Sequence, residues 1–371
     1  MRRIKLIGAA LLLLCLCACG DTEDGSWNGM EKTGSLELQY AKEFQVDYYE
    51  DGYDVITIEG DEYLLVPEGM PVPDEIGSEV TVLQQPLENL YVASSSAMDL
   101  FLHADAIDRV DMTSTSAENW TIPEIQEKVI SDDILFVGKY SAPDYEVVLD
   151  EGCGLAVENT MISHTPEVKE KLEQLGIPVL VERSSYESGP LARLEWLKFW
   201  GILLGKEELA EQEFARQVER LAPLAGQAST GKRCAFFSIT ANNLANVRKG
   251  GDYVAQMIEM AGGDYVFADL TDNGNNLSTM NLPLEDFYAG AKDADVLLYN
   301  STIEGVVHTT EELVAKCPLL AEFKAVQSGS VWCTTQSFFQ QSTALVDFVL
   351  DLHRVFTEND PADLQFLRKV E

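Results

Sequence analysis

Histidine, the commonest protein ligand for transition metals, is rare in this chain of 371 residues. The four histidines lie far apart in sequence, at His103, His164, His308 and His353. A site for a free zinc or manganese ion needs a cluster of histidine and carboxylate ligands. The sequence has no histidine-rich loop, so free metal is a minor alternative among the possible ligands.

Signatures of catalysis are also missing. The chain has no GxSxG nucleophile motif, no phosphate-binding GxxxxGK[ST] loop, no GxGxxG fingerprint and no HExxH pair. Its acidic residues are too numerous to mark out one pair of catalytic carboxylates. These absences argue against an enzyme, which is kept as the alternative from another functional class.

Basic residues are few, since 26 Lys and Arg stand against 62 Asp and Glu and give a formal net charge of −36. Nucleic-acid binding depends on basic side chains that face the phosphates, so this charge excludes a nucleic-acid partner. An acidic extracytoplasmic protein is consistent with the same composition.

Cysteine patterns typical of zinc sites or disulfide frameworks are absent, because the chain contains no CxxC or CxH. Beyond the N-terminal region the cysteines are widely spaced, at Cys153, Cys234, Cys317 and Cys333. We expect these four to be buried free thiols.

Only the N-terminus carries a long apolar run, from Leu6 to Leu16, and it follows a basic start. This pattern predicts a signal peptide over residues 1–18 and not a membrane span. The sequence Leu16-Cys17-Ala18-Cys19 resembles a bacterial lipobox, which implies acylation of Cys19 and anchoring to the bacterial cell membrane. A plain signal peptide cut elsewhere is the alternative. The polar, Gly-containing stretch at 19–35 is predicted to be a flexible tether.

The rest of the chain divides into two α/β lobes, at 36–189 and 228–371. Leu36–Val82 alternates aromatic and polar residues between turns, which predicts a β-hairpin or meander on the first lobe. From Leu90 onward, short apolar runs alternate with helical segments in both lobes. This alternation predicts mainly parallel sheets covered by helices.

Residues 190–227 are predicted to connect the lobes through two helices. The first, Leu191–Leu204, is apolar on most of its surface and is expected to be buried. Gly205 is its expected C-terminal cap, and Lys206–Leu224 continues as an amphipathic helix.

From Leu36 to its end, the chain resembles the substrate-binding proteins of ABC importers for ferric siderophores, haem and cobalamin. Four segments carry the resemblance: Tyr91–Ala97, Gly138–Glu146, Lys171–Val179 and Leu282–Tyr299. It implies a class III periplasmic-binding-protein fold, a monomer, and a ligand held between two lobes that close little around a helical connection. It also implies a permease and its ATPase as partners. A surface lipoprotein without a transporter is a further alternative.

The resemblance places the ligand where strand ends face the crevice. The candidate ligand-binding residues are Ser95, Ser96, Trp120, Tyr140, Asn159, Tyr186, Arg193, Arg248, Asn300, Phe338 and Phe339. Structural roles stay open for most of them: the serines as helix caps, the aromatic residues as packing groups, and Arg248 as part of a solvated turn.

No permanently bound cofactor is expected, and an iron complex is favoured as the transported ligand. An arginine and aromatic site suits a ferric siderophore, whereas haem needs an axial ligand such as Tyr140 or Tyr186. A corrinoid needs a broad apolar crevice with few charges. All three classes remain open.

Glu146 and Glu285 are the candidate permease-docking residues. Each lies in the first turn of a predicted helix, where a glutamate stabilises the helix dipole by ~0.3–1 kcal/mol and needs no other role. In the family that the chain resembles, one glutamate at the matching point of each lobe docks onto arginines of the permease.

Overall fold

The computed structural model describes residues 26–271 and 278–371. The predicted signal peptide and Cys19 lie outside these ranges. Within them, no helix is both long enough and apolar enough to cross a membrane. The described cysteines are all free thiols, of which three are buried and Cys153 is half-buried.

A six-stranded sheet comes first, in the order of the chain. Its strands are β1 (Ser26–Trp27), β2 (Met30–Ser35), β3 (Gln45–Tyr49), β4 (Asp54–Ile58), β5 (Asp61–Val66) and β6 (Thr81–Gln84). Neighbouring strands are antiparallel except for the parallel pair β5 and β6. The predicted meander over Leu36–Val82 is therefore confirmed.

The tether predicted over 19–35 is wrong for residues 26–35, which form β1 and β2. Trp27 and Met30 pack against the apolar cluster that contains Tyr49. Lys32 also forms an ion pair of 2.8 Å with Asp47 on β3. The stretch looked like a linker because its composition is polar, but two apolar side chains and cross-strand pairs are enough to hold a hairpin on an existing sheet.

The first lobe contains a five-stranded parallel sheet with the order β13-β12-β7-β8-β9. Its strands and the β10–β11 hairpin are β7 (Leu90–Val92), β8 (Val110–Thr113), β9 (Leu135–Phe136), β10 (Gly138–Lys139), β11 (Ala142–Pro143), β12 (Leu155–Asn159) and β13 (Val179–Glu182). The helices are α1 (Ser95–His103), α2 (Pro123–Ile130), α3 (Tyr145–Asp150) and α4 (Pro166–Gln174).

Two helices connect the lobes, α5 (Pro190–Leu204) and α6 (Glu207–Leu221), with Gly205 in the left-handed conformation between them as predicted. Trp196, Phe199 and Trp200 on α5 are fully buried. Burying a ring such as that of Phe199 contributes roughly 1.5–3 kcal/mol, so α5 is a structural axis of the molecule.

A buried carboxylate on α5 also fixes the start of the first lobe. Glu195 is completely buried and accepts hydrogen bonds from the backbone N–H groups of Gln39, Tyr40 and Ala41. The ammonium of Lys198 lies 3.3 Å from the same carboxylate and supplies the compensating charge. Such pairing is what a buried charge requires.

The second lobe has a seven-stranded mixed sheet with the order β17-β15-β14-β18-β19-β20, to which β16 adds beside β14. Its strands are β14 (Lys232–Ile239), β15 (Ala245–Arg248), β16 (Gly263–Tyr265), β17 (Thr279–Leu282), β18 (Val296–Tyr299), β19 (Val331–Thr334) and β20 (Leu367–Lys369). The helices are α7 (Tyr253–Met260), α8 (Leu284–Ala291), α9 (Ser301–Glu304), α10 (Thr310–Lys316), α11 (Lys324–Gln327) and α12 (Leu345–Thr357).

The predicted fold class is confirmed, because both lobes contain parallel strands covered by helices and a long helix joins them. One continuous apolar core includes Leu90 of the first lobe, Trp200 of α5 and Phe236 of the second lobe. The antiparallel strands β15, β17 and β20 were not predicted. They are short, and β15 occupies part of a segment that the sequence suggested to be a loop.

Candidate ligand-binding cleft

The segments that follow β12 and β13 in the first lobe face the segment that follows β15 in the second lobe across one cleft. A cavity of 520 Å³ lies there, lined from the first lobe by Met161 and Tyr186 and from the second by Asp252 and Tyr253. This volume is within the range of ~300–1,000 Å³ that is typical of small-molecule sites. The cavity is therefore the candidate site for the ligand.

Two arginines do not line this cavity themselves but contact residues of its wall, and both are stacked on aromatic rings. The guanidinium carbon of Arg193 lies 3.9 Å from the ring centroid of Tyr253, and its Nε donates to the carbonyl of Ser184 at 3.0 Å. The guanidinium carbon of Arg248 lies 5.0 Å from the ring centroid of Phe339. Stacking on a ring leaves the planar edge of a guanidinium able to bind an anion.

Asp252 orders the second arginine. Its carboxylate caps α7 by accepting the N–H of Val254 at 2.9 Å, and it lies 3.5 Å from a terminal nitrogen of Arg248. Burial raises the pKa of Asp252, whereas Arg248 opposes that rise. The same arginine nitrogen donates to Ser278 at 3.2 Å.

Cationic and acidic groups are balanced around the cavity. Lys249 lines it, and Arg193 and Arg248 lie just behind its wall, close to the buried carboxylates of Glu182 and Asp252. Glu187 also lines the cavity, and its carboxylate accepts the backbone N–H groups of Lys42 and Glu43. In a protein with a net charge of −36, the candidate site is thus a place where cations match carboxylates in number.

Of the predicted site residues Tyr186 lines the cavity, whereas Arg193 and Arg248 contact its wall residues Tyr253 and Asp252, and Phe339 packs on Arg248. Tyr186 is 45% exposed and packs beneath the guanidinium of Arg183 at 4.3 Å. Met161, which the sequence did not single out, also lines the cavity from the first lobe and is 49% exposed.

Four other predicted residues lie at strand ends, where they organise helix starts and lobe contacts. Asn159 accepts the N–H of Met161, and buried Asn300 accepts that of Thr302. Ser95 begins α1, and the carbonyl of Ser96 accepts the hydroxyl of Ser342 from the other lobe. Asn159 and Asn300 thus cap helix starts, whereas the caps suggested for the serines do not form, since the start of α1 has no side-chain cap hydrogen bond.

The remaining three predicted residues are packed away from the cavity. Trp120 is 2% exposed and donates its indole N–H to the carbonyl of Thr115 at 3.0 Å. Phe338 is 1% exposed, with its ring centroid 4.3 Å from that of Phe348. Tyr140 packs against an apolar cluster of the first lobe and does not line the cavity.

The lobes touch directly through side chains beside the cleft. Gln340 accepts the backbone N–H of Thr121 at 2.8 Å and donates to the carbonyl of Asn119 at 2.8 Å. Buried Asp99 accepts the backbone N–H and the hydroxyl of Thr343. These contacts close one end of the cleft.

The two candidate docking glutamates occupy equivalent positions in the lobes. Glu146 is exposed in the first turn of α3, which leads into β12, and Glu285 is exposed in the first turn of α8, which leads into β18. A helix that precedes a strand of a parallel sheet runs back along it, so its N-terminus lies at the carboxyl edge. Both carboxylates therefore lie on the cleft side of their lobes, and neither forms an ion pair within the described ranges.

No group of three His, Cys, Asp or Glu side chains in residues 26–271 and 278–371 is arranged to hold a metal ion. Sequence reasoning missed Asp252, Tyr253 and Ser278 as parts of the site. The Gly250-Gly251-Asp252 sequence does signal a helix start. The same sequence does not indicate that Arg193 of α5 packs on Tyr253 at the start of this helix.

Glu158 is a buried carboxyl beside the cleft that has no hydrogen-bond partner among the described residues. Burial raises its pKa to about 8, against an ordinary value of 4.5. Because the folded state keeps the proton longer than the unfolded state, wild-type stability should fall as pH rises from about 4.5 to 8.

We expect Glu158→Gln to remove this pH dependence. Its free energy of unfolding should rise relative to wild type by on the order of 3 kcal/mol between pH 5 and pH 8, at about 1.4 kcal/mol per pH unit. Urea denaturation at several pH values measures the difference, with exposed Glu170→Gln as the control. A constant offset between Glu158→Gln and wild type across this range would contradict the prediction.

No family model matches the chain. Two uncharacterized lipoproteins of Methanocaldococcus jannaschii are similar to it. One is 24% identical over 356 residues, covering 86% of this chain and 81% of the relative. The other is 23% identical over 359 residues, covering 92% and 88%.

Solved structures are similar at the level of the fold. The periplasmic haem-binding protein HutB of Vibrio cholerae has a TM-score of 0.59 and 16% identity, over 71% of this chain and 98% of its own. The periplasmic vitamin B12 binding protein BtuF of Vibrio cholerae has a TM-score of 0.51 and 15% identity, over 74% and 99%. A periplasmic binding protein from Veillonella parvula has a TM-score of 0.60 and 16% identity, over 81% and 96%. The chain has the class III periplasmic-binding-protein fold, and it resembles the substrate-binding proteins of ABC importers.

Proposed function

We propose that the chain is the extracytoplasmic substrate-binding lipoprotein of an ABC importer. It captures a ferric siderophore between its lobes and delivers this iron complex to a permease and its ATPase. The observation that carries the proposal is the cavity between the lobes: Lys249 lines it, and Arg193 and Arg248 lie just behind its wall, in an otherwise strongly acidic protein.

The cationic groups near the cleft favour an anionic ligand. Repulsion from a net charge of −36 disfavours an anion on the rest of the surface, whereas here Lys249 lines the cavity and partly exposed Arg193 lies on the ring of Tyr253. A guanidinium binds planar oxygen anions through paired N–H donors, and Arg248 is already bonded to Asp252 and Ser278. A ferric siderophore supplies such oxygens together with aromatic or aliphatic surface.

Haem is the second candidate, because Tyr186 and Met161 both line the cavity and are both about half exposed. Either side chain is of a type that ligates haem iron, and the arginines would pair with its propionates. A corrinoid fits less well, since charged side chains of both signs line the cavity.

Delivery from a membrane surface follows from the predicted acylation of Cys19. The two similar proteins of Methanocaldococcus jannaschii are described as lipoproteins, which supports an anchor of this kind. The similar solved structures bind haem or vitamin B12, and this supports a cleft built for a metal complex. The chain acts as a carrier in this proposal, without a catalytic step.

The test is a titration of the protein from Asp21 to Glu371, which retains every described residue. Tryptophan fluorescence and calorimetry are followed against ferric and iron-free catecholate and hydroxamate siderophores, haem and cyanocobalamin. We expect saturable sub-micromolar binding of an anionic ferric complex that weakens as salt is added. Binding of haem alone, with an absorption band altered by Tyr186→Phe, would favour the second candidate. Failure of every ligand would reject the proposed function.

A further inference from the structure

A second cavity, of 710 Å³, lies where the connecting helices meet the second lobe. We call it the rear cavity and define it by Tyr40, Leu191, Leu221, Met260, Tyr265 and His353 among its lining residues. It shares no lining residue with the cleft cavity. Its size is also within the range of small-molecule sites.

The walls of the rear cavity are apolar and come from three separate helices. Leu191 belongs to α5, Val218 and Leu221 to α6, and Met260 to α7. Leu191, Val218 and Met260 remain only partly buried although they pack on the core. Apolar surface left facing a concave space of this volume favours an apolar ligand body.

The charged groups at the rear cavity are acidic, and its neutral polar side chains include Gln227, Ser229 and Thr230, whose donors are taken up by nearby carbonyls and by Asp264. Glu259 and Asp264 line it with exposed carboxylates. The Nδ1 of His353 lies 3.1 Å from the carbonyl of Ala261, which fixes the proton of the neutral ring on Nδ1 and leaves Nε2 as an acceptor. Among its lining residues there is no lysine or arginine.

Two aromatic rings also line the rear cavity. Tyr40 is 38% exposed at the cavity, and Tyr265 forms part of its wall. The hydroxyl of Tyr265 donates to the carbonyl of Arg248 at 2.7 Å, which holds the ring in place from the side of the cleft arginine. Rings beside carboxylates are the surroundings that attract an ammonium group.

We propose that the rear cavity is a second binding site, which takes an amphipathic organic cation. The apolar body of the ligand lies against Leu191, Leu221 and Met260, and its ammonium group faces Glu259 and Asp264. The rear cavity lies apart from the cleft. It would select a cationic ligand, whereas the cleft is proposed to bind an anionic one.

The test uses two probes that share a fluorophore and differ in charge: dansylcadaverine, which ends in an ammonium, and dansyl-6-aminohexanoic acid, which ends in a carboxylate. Both are titrated into the protein from Asp21 to Glu371. We expect dansylcadaverine to bind saturably with a blue-shifted emission, and the carboxylate probe to bind at least about tenfold more weakly. Equal affinities for the two probes would overturn the proposal.

Two variants locate the bound probe. Ala225→Trp places a large ring in the cavity from an exposed position, and Glu259→Gln with Asp264→Asn removes its charge. Each should weaken dansylcadaverine binding by about tenfold or more. The control, Glu124→Gln with Asp286→Asn, removes two exposed carboxylates elsewhere and should leave the affinity unchanged. If the control weakens binding equally, or if Ala225→Trp has no effect, the probe is bound to the acidic surface and the inference fails.

Discussion

Replacing Arg193 and Arg248 together by glutamine is expected to weaken the binding of an anionic ferric siderophore by about 100-fold or more. Each guanidinium lost removes charge-assisted hydrogen bonds of about 1.5–3 kcal/mol, which corresponds to roughly 10- to 100-fold in the dissociation constant. The double variant also leaves Asp252 without its arginine partner, and this adds repulsion toward an anion. Calorimetric titration measures the loss, and thermal unfolding checks that the fold is retained.

The control is Arg233→Gln, which removes one exposed positive charge near the start of β14 and is compared with each single arginine variant. Its affinity should remain within a factor of about two of wild type, since exposed charges further apart than ~8–10 Å are largely screened. Arg193→Lys adds a second comparison, because it keeps the charge and loses the planar fork that stacks on Tyr253. An unchanged affinity in the double variant would place the ligand outside this cavity.

Replacing Glu146 and Glu285 together by alanine is expected to abolish uptake while ligand affinity stays unchanged. Both carboxylates are exposed at helix N-termini on the cleft side of their lobes. One carboxylate lies on each lobe, so a permease that pairs with both would bind the two lobes at the same time. Exposed ion pairs contribute only ~0–1 kcal/mol each, so docking should also weaken as salt increases.

The control for docking uses the opposite ends of the same helices. Asp150→Ala with Asp293→Ala removes two exposed carboxylates from the last turn of α3 and from just beyond α8. Transport of labelled ligand into cells that carry the cognate permease should be normal in this variant and absent in the glutamate variant. If Glu146→Ala with Glu285→Ala lowers ligand affinity instead, the two carboxylates belong to the ligand site.

Much of the fold can be predicted from the local pattern of the sequence. The apolar runs at β7, β12, β14 and β18 alternate with amphipathic helices, and this period is sufficient to predict parallel sheets. The apolar surface of α5 likewise predicts a buried connecting helix. Residues 26–35 were mistaken for a tether because their pairing partner, β3, lies elsewhere in the chain.

For the candidate site, too, the sequence predicts some features of single residues and only the tertiary structure shows others. Arg193 and Arg248 are visible in the sequence as isolated cations, but each is equally compatible with a solvated surface position. The tertiary structure shows that α5 and β15 bring them close together behind the wall of one cavity, on the rings of Tyr253 and Phe339. Trp120 is the converse case, since its strand-end position suggests a lining residue and its burial makes it a packing one.

The sequence by itself determined the alternation of the main strands and helices, the two-lobed architecture and the overall negative charge, because each of these depends on local periodicity or on composition. The tertiary structure alone decided the short antiparallel strands, which cations meet behind the cleft, and that a separate acidic and apolar cavity lies elsewhere in the molecule. Those properties arise from contacts between residues far apart in the chain, and no local pattern records such contacts.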